Sequence, residues 1–277
     1  MNSNFTHLTV SNAFTNDLRS KYGIEALTVY DKPRIEICTT SPKRAHEIFT
    51  KLSEKYSEFL DQENSIRRTI LTEMTTIKSS PYRMRNDRPA FIVSSCSWTT
   101  DDNIEILIEA LEIYDKLAEK ISNKKKLLCC ITGKGPLKGY YKNMIEKKEF
   151  TMSKVILPWL DNEDYFDFIG AADFGVCLHN STSGLDLPMK IVDLNSRAVP
   201  AIALEYSTLH ELVLNNINGF LFKKSDELAE KIDFLLNNEK GICELESAKT
   251  YLINQYDTEE QTWTKEWRKI KDKLQSP

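Results

Sequence analysis

An α/β fold built on a doubly wound parallel sheet is predicted by three features of the 277-residue sequence. Short apolar runs alternate with longer stretches of helical periodicity, the pattern of strand–helix–strand units. The runs are apolar throughout rather than alternating, as in Phe174-Gly-Val-Cys-Leu-His179, which marks strands covered on both faces. Small polar residues join run to helix, as in Asn180-Ser-Thr-Ser-Gly184, so ligand-binding loops are expected at the carboxyl ends of the strands.

In order, His7–Ser11 reads as a strand, and Asn12 caps a helix that Gly23 ends after Tyr22. Glu25–Tyr30 is a second strand and Asp31–Pro33 a turn. Ser41 to Lys78 is expected to be helical, because Ile48, Leu52, Tyr56, Phe59 and Leu60 recur at spacings of three and four. Ser79–Pro89, with two prolines and a cluster of arginines, is expected as a solvated loop. Ala90–Ser94 opens the main sheet, and Asp101-Asp102 starts a helix to about Ile121, acidic residues there suiting the helix dipole. Further strands are Leu127–Thr132, Lys154–Pro158, Phe174–His179, Pro200–Leu204 and Phe220–Phe222. Helices are expected over 162–170 after an Asp161 cap, from Leu212 to Asn215, and over Ser225–Asn238, Cys243–Tyr256 and Glu259–Leu274. Tyr165, Phe168 and Ile169 form a core stripe, and Trp263 and Trp267 share one helical face.

Composition narrows the function. With 41% hydrophobic and 28% charged residues the chain is globular rather than disordered. A net charge of −4 argues against nucleic acid as the main partner. The six cysteines show no C-x-x-C spacing, and three lie in strand-like runs, which suits free thiols in a reducing compartment. No run approaches the ~18–20 apolar residues of a membrane span. The tripeptides Asn4-Phe-Thr6 and Asn180-Ser-Thr182 fit the glycosylation pattern and are read as chance.

The segment His179–Pro200 carries the strongest site signal. Strand, loop and helix follow one another, with Pro188 at the first helical position and Lys190 in the first turn. A helix start with a lysine is a candidate diphosphate site. The dipole contributes roughly 0.3–1 kcal/mol, whereas a charge-assisted lysine contact contributes roughly 1.5–3 kcal/mol. Asp193, three residues on, could take the hydroxyls of a ribose; the alternative is an i,i+3 surface pair with Lys190.

Six segments in register, VSNAFTNDL, TVYDKP, SSCSWTTDDN, ITGKGPLKGYY, PWLDNEDYFDFIGAADFGVCLH and SGLDLPMKIVD, resemble the donor-binding half of GT-B glycosyltransferases. More narrowly they resemble the chitobiosyldiphosphodolichol beta-mannosyltransferase family. The resemblance implies a Rossmann-like domain over 90–256 that binds a nucleotide sugar and a C-terminal helix over 257–277. Residues 1–31 would be the remnant of an acceptor-side domain, with a helical linker region over 32–89. The chain is expected to start late, without most of that domain or the family's membrane anchor.

The resemblance further implies donor-binding roles for Ser97 and Trp98, for Gly133, Lys134 and Gly135, and for Trp159 and Leu160 at the base. His179, Ser183, Gly184, Leu185, Pro188, Lys190, Asp193 and Glu211 complete the expected site. The Arg and Lys that many GT-B enzymes carry after the first strand are replaced by the Ser-Trp form of the narrower family, leaving Lys190 more of the charge. No catalytic base is assigned; Asp186 and Asp193, with six residues between them, do not match the Glu pair of retaining GT-B enzymes. No metal or other cofactor is expected, since His210-Glu211 lacks a second His at ligand spacing.

The implied reaction moves mannose from GDP-mannose to chitobiosyl-diphospho-dolichol with inversion, a beta-1,4 linkage, on the cytosolic face of the endoplasmic reticulum membrane. Implied partners are other dolichol-pathway glycosyltransferases or a chain supplying the acceptor domain. The competing expectation is a GDP-mannose-binding or partner-subunit module without turnover.

Overall fold

The computed structural model describes residues 7–33, 38–61, 67–118, 124–256 and 263–275. The tripeptide at Asn4 and the start of the expected last helix lie outside them. The first elements are β1 (His7–Thr9), α1 (Asn12–Tyr22) and β2 (Ala26–Thr28), with the two strands paired in parallel. Ser11 caps α1 by accepting from Phe14 N–H, and Gly23 ends it at φ 64°, a left-handed conformation that costs glycine nothing.

The next segment departs from expectation. The helix stops early, as α2 (Pro42–Ser53), and β3 (Thr72–Met74) and β4 (Tyr82–Met84) form an antiparallel hairpin. Side chains of β-branched residues explain the change. Thr69 Oγ accepts from the N–H groups of Leu71 and Thr72, a local bond that competes with helix. His46 of α2 then bonds Thr72 Oγ at 2.8 Å, tying hairpin to helix. The arginines of 79–89 are ion-paired: Arg83 with Glu73, Arg85 with Asp61 and Asp87, and Arg88 with Asp173. Phe49 of α2 and Phe59 pack with Phe91 and Phe168 in stacked and edge-on contacts of 5.2–6.4 Å, so this segment covers one face of the main sheet.

That sheet holds six parallel strands, β5 (Ala90–Ser95), β6 (Leu127–Thr132), β7 (Ser153–Ile156), β8 (Phe174–Cys177), β9 (Ala201–Leu204) and β10 (Gly219–Phe222), in the order β10-β9-β8-β5-β6-β7. Its helices are α3 (Ile104–Ala118), α4 (Lys138–Glu146), α5 (Asn162–Ile169), α6 (Met189–Asn195), α7 (Ser225–Asn237) and α8 (Glu239–Tyr256), with α9 (Trp263–Gln275) last. Successive residues of β5 enter opposite cores: Ala90 and Ile92 pack with the apolar residues of α3 and α7, Phe91 and Val93 with those of α2 and α5. Both faces are covered, which is why these strands read as unbroken apolar runs. Four of the thiols, Cys96, Cys129, Cys130 and Cys177, are buried and free.

Two helical expectations are corrected. After Thr208 the chain makes only a 3-10 turn, Leu209–Glu211, rather than a helix to Asn215. Pro188 stands at the cap of α6, one position before the first helical residue. On α9 the inward residues are Glu266 and Ile270, while Trp263 and Trp267 are 41% and 64% exposed; the Trp263 indole donates to the Lys32 carbonyl at 2.9 Å.

The strand order creates one reversal. From β5 the chain builds outward through β6 and β7, then returns to lay β8 on the other side of β5. The loops leaving β5 and β8 therefore diverge at their carboxyl ends, the position where open parallel sheets hold ligands.

A candidate donor-binding site at the sheet reversal

Lys190 lies at this reversal. Leaving β8, the chain makes the loop 179–188 and enters α6, which sits close because Gly175 of β8 has no Cβ; one would lie 2.3 Å from the Leu194 side chain. The Lys190 ammonium, with its side chain 22% exposed, forms an ion pair with Asp102, which is 1% exposed. The other Asp102 oxygen accepts from Ser97 N–H at 2.7 Å and Ser97 Oγ–H at 2.8 Å. Two backbone bonds join the loops beside it, Asn180 N–H to Asp101 O at 2.8 Å and Asn103 N–H to Leu178 O at 3.1 Å. The sequence reading missed Asp102, treating it as a helix-start charge.

The loop after β8 is internally braced. Gly184 N–H donates to Ser181 Oγ at 2.8 Å and Leu185 N–H to Ser183 Oγ at 3.1 Å. Those two amides are thus occupied within the loop. The loop carbonyls are held as well: Gly184 O by Thr208, Leu185 O by Ser11, and Asp186 O by Tyr206 at 3.0 Å. Asp186 accepts from Ser181, from Ser183 and, at 2.9 Å, from the His179 ring, with the tautomer set by that pairing. Burial opposes its charge, but the bonds from Ser181 and His179 hold the Asp186 carboxyl below the ordinary carboxylate value. Pro188 is buried and gives α6 no side-chain cap. With seven residues α6 is short, so the positive charge here comes chiefly from Lys190.

Asp193 does not form the i,i+3 surface pair with Lys190 in the way weighed above. Its carboxylate accepts from the Tyr165 hydroxyl at 3.2 Å, and the same oxygen of Tyr165 reaches Ser95 Oγ at 3.1 Å. Burial first, and then the neighbouring Asp193 charge, push the Tyr165 phenol up.

The turn after β6 packs closely on the loop after β5. A Cβ on Gly133 would lie 1.8 Å from Cys96 O, and one on Gly135 1.8 Å from Ser97 O. Gly133 also has φ 137°. Both glycines are therefore required by close packing on the loop after β5. Trp98, expected to touch the donor, is fully buried under this turn, with φ 51°, an uncommon backbone conformation for a non-glycine residue. Lys138 lies over its ring at 5.7 Å and donates to Gly133 O at 3.2 Å; burial lowers its pKa. Ser97 and Lys134 are exposed. Trp159, 50% exposed, follows β7, with its N–H on the Tyr56 hydroxyl at 2.9 Å, while Leu160 is buried.

Glu211 is engaged elsewhere. Its two oxygens accept from Asn12 N–H at 2.7 Å, Ala13 N–H at 2.8 Å and the Tyr30 hydroxyl at 2.7 Å. It closes the amino end of α1, rather than facing Lys190. Among the described residues no group of three or more His, Cys, Asp or Glu is placed to hold a metal ion, and no helix is long and apolar enough to cross a membrane.

Residues 80–251 match the family model for glycosyl transferases group 1. The chitobiosyldiphosphodolichol beta-mannosyltransferase of Homo sapiens is 42% identical over 236 residues, covering 84% of this chain and 51% of that protein. The protein named putative glycosyltransferase ALG1L2, also from Homo sapiens, is 36% identical over 213 residues, 76% of this chain and 93% of that one. The crystal structure of Anabaena HepE with UDP-glucose superposes with a TM-score of 0.66 at 16% identity, covering 98% of this chain and 64% of that one; this is a likeness of fold, the GT-B type. The chain spans about half the length of the curated mannosyltransferases it matches. With the family model covering more than half of its residues, the chain belongs to the group 1 glycosyl transferases.

Proposed function

We propose that this chain binds GDP-mannose and acts in mannosyl transfer to chitobiosyl-diphospho-dolichol, in assembly of the N-glycan precursor at the cytosolic face of the endoplasmic reticulum. The observation that carries the proposal is the Lys190 ammonium fixed at the carboxyl ends of β5 and β8, in a chain 42% identical to a protein named for this reaction. Trp159 and Leu160 stand at the end of β7, two strands from β5. At about 4.8 Å per strand that is ~10 Å, a span suited to a nucleoside whose diphosphate reaches Lys190.

In such a transfer the acceptor O–H attacks the anomeric carbon, the bond to the diphosphate breaks, and the linkage inverts from alpha to beta. Lys190 would stabilise the charge on departing GDP, the kind of preorganised contact that lowers a barrier most. The acceptor proton passes to a general base as the new bond forms. Lys190, and no metal ion, supplies the positive charge, so GDP affinity should be unchanged by a chelator.

The test is calorimetry of the whole chain with GDP, GDP-mannose and guanosine. Lys190→Ala should weaken GDP far more than guanosine. Lys190→Gln, which keeps an N–H for Asp102, should do the same without the cost of an unpaired buried carboxylate. Equal loss for both ligands counts against a phosphate role. The second reading is a donor-binding module without turnover, which the same Lys190 site would serve. An assay with a chitobiosyl lipid separates the two: binding without transfer supports the module.

A further inference from the structure

We propose that Asp102, itself anchored by the two Ser97 donors, is the positioning residue of the donor site, holding Lys190 in place for the diphosphate; this rests on the donor reading above. The two groups arrive on different loops, Ser97 from β5 and Lys190 from the segment after β8. Asp102 is their common partner, one oxygen on Lys190 and the other on both Ser97 donors. The carboxylate is 1% exposed, and the flanking bonds from Asn180 to Asp101 and from Asn103 to Leu178 fix its backbone. It therefore has no freedom to follow a ligand outward. A lysine ammonium has three N–H groups; engaging one leaves the others for phosphate oxygens, on a side chain already ordered before the ligand arrives.

The chemistry of the position predicts what an amide would do. Asp102→Asn offers one oxygen and one NH2. Whichever way it turns, the NH2 confronts either the Ser97 N–H or the Lys190 ammonium, so one of the two groups is released. A purely electrostatic role predicts the opposite sign: removing the negative charge beside Lys190 would tighten anion binding.

Calorimetry of wild type, Asp102→Asn, Lys190→Gln and the double variant, each with GDP and with guanosine, decides. The expected result is GDP binding weakened about tenfold by Asp102→Asn, the scale of one charge-assisted contact, with guanosine unchanged. The double variant should bind GDP no more weakly than Lys190→Gln alone, because Asp102 acts through that lysine. GDP binding as tight as wild type or tighter in Asp102→Asn overturns the proposal, as do losses that simply add. If Lys190→Gln leaves the GDP-to-guanosine ratio unchanged, the donor reading itself fails, a result distinct from an inert Asp102.

A second measurement needs no variant. In ligand-free wild type, acylation by an amine-reactive ester followed by mass spectrometry should modify Lys190 at least tenfold more slowly than exposed Lys134. Equal rates mean that the pair does not hold Lys190, and overturn the proposal.

Discussion

Replacing Glu211 by alanine should loosen α1 rather than impair donor binding. The first amides of a helix have no partner within it; here Glu211 takes those of Asn12 and Ala13 at 2.7 and 2.8 Å, and Ser11 Oγ takes that of Phe14 at 3.0 Å. One Glu211 bond is exposed and the other part-buried, so each contributes about 1 kcal/mol rather than the fuller value of a buried charged bond. The favourable placement of a carboxylate at a helix start adds a few tenths of a kcal/mol. The sum is about 2 kcal/mol, or roughly 30-fold in the opening equilibrium at about 1.4 kcal/mol per tenfold. Amide hydrogen exchange followed by mass spectrometry reads this directly. Peptides from α1 and β2 should exchange roughly 30-fold faster in Glu211→Ala, while peptides from β5 and β6 keep their wild-type protection. GDP-mannose affinity should change less than threefold. Unaltered exchange in α1, together with a large loss of donor affinity, would refute the capping role and restore the one the family resemblance implied.

Two further outcomes follow from the buried contacts. Arg88→Ala removes a bidentate partner of Asp173 with contacts of 2.6 and 2.7 Å, and leaving that carboxylate to the Phe91 N–H should cost about 3 kcal/mol in urea unfolding at pH 7, the low end for breaking a buried pair. In wild type burial opposes the Asp173 charge, but Arg88 and the Phe91 N–H outweigh it and hold the carboxyl below its ordinary value. Its stabilisation is thus complete above about pH 4 and is lost as pH falls through the lowered value. In the variant the largest contact opposing burial is gone and the Phe91 N–H remains, so the carboxyl rises from its wild-type value, acid should relieve the charge and the stability gap should narrow between pH 7 and pH 4; a constant gap contradicts this assignment. Phe49→Ala, at the centre of the cluster with Phe59, Phe91 and Phe168, should cost about 3–5 kcal/mol by the same measurement. A cost under 1 kcal/mol would mean that the segment before β5 is not part of the core.

What the sequence disclosed and what it hid divide along a physical line. The parallel strands were legible because each is covered on both faces, so its apolar run is unbroken whatever its neighbours are. The hairpin β3–β4 was not. The helical spacing of Ile48 to Leu60 runs up to it, and the decision rests on Thr69 folding back on Leu71 and Thr72 and on Ile70 N–H meeting Phe59 O. In the candidate site, the place of Lys190 at the start of α6 was legible from local order alone, a small-residue loop followed by a proline and a basic residue. Asp102 was not, because 88 residues separate it from Lys190 and only the return of the chain to the far side of β5 makes them neighbours. Trp98 and Glu211 show the same limit from the other side. An aromatic in a loop and a glutamate beyond a strand read as ligand contacts, yet Gly133 and Gly135 close over the first and α1 takes the second. Local chemistry therefore marks groups able to meet a ligand, whereas strand order decides which of them are free to do so. Asp102, at the crossing of the two, is where a single substitution should uncouple recognition of the diphosphate from integrity of the fold.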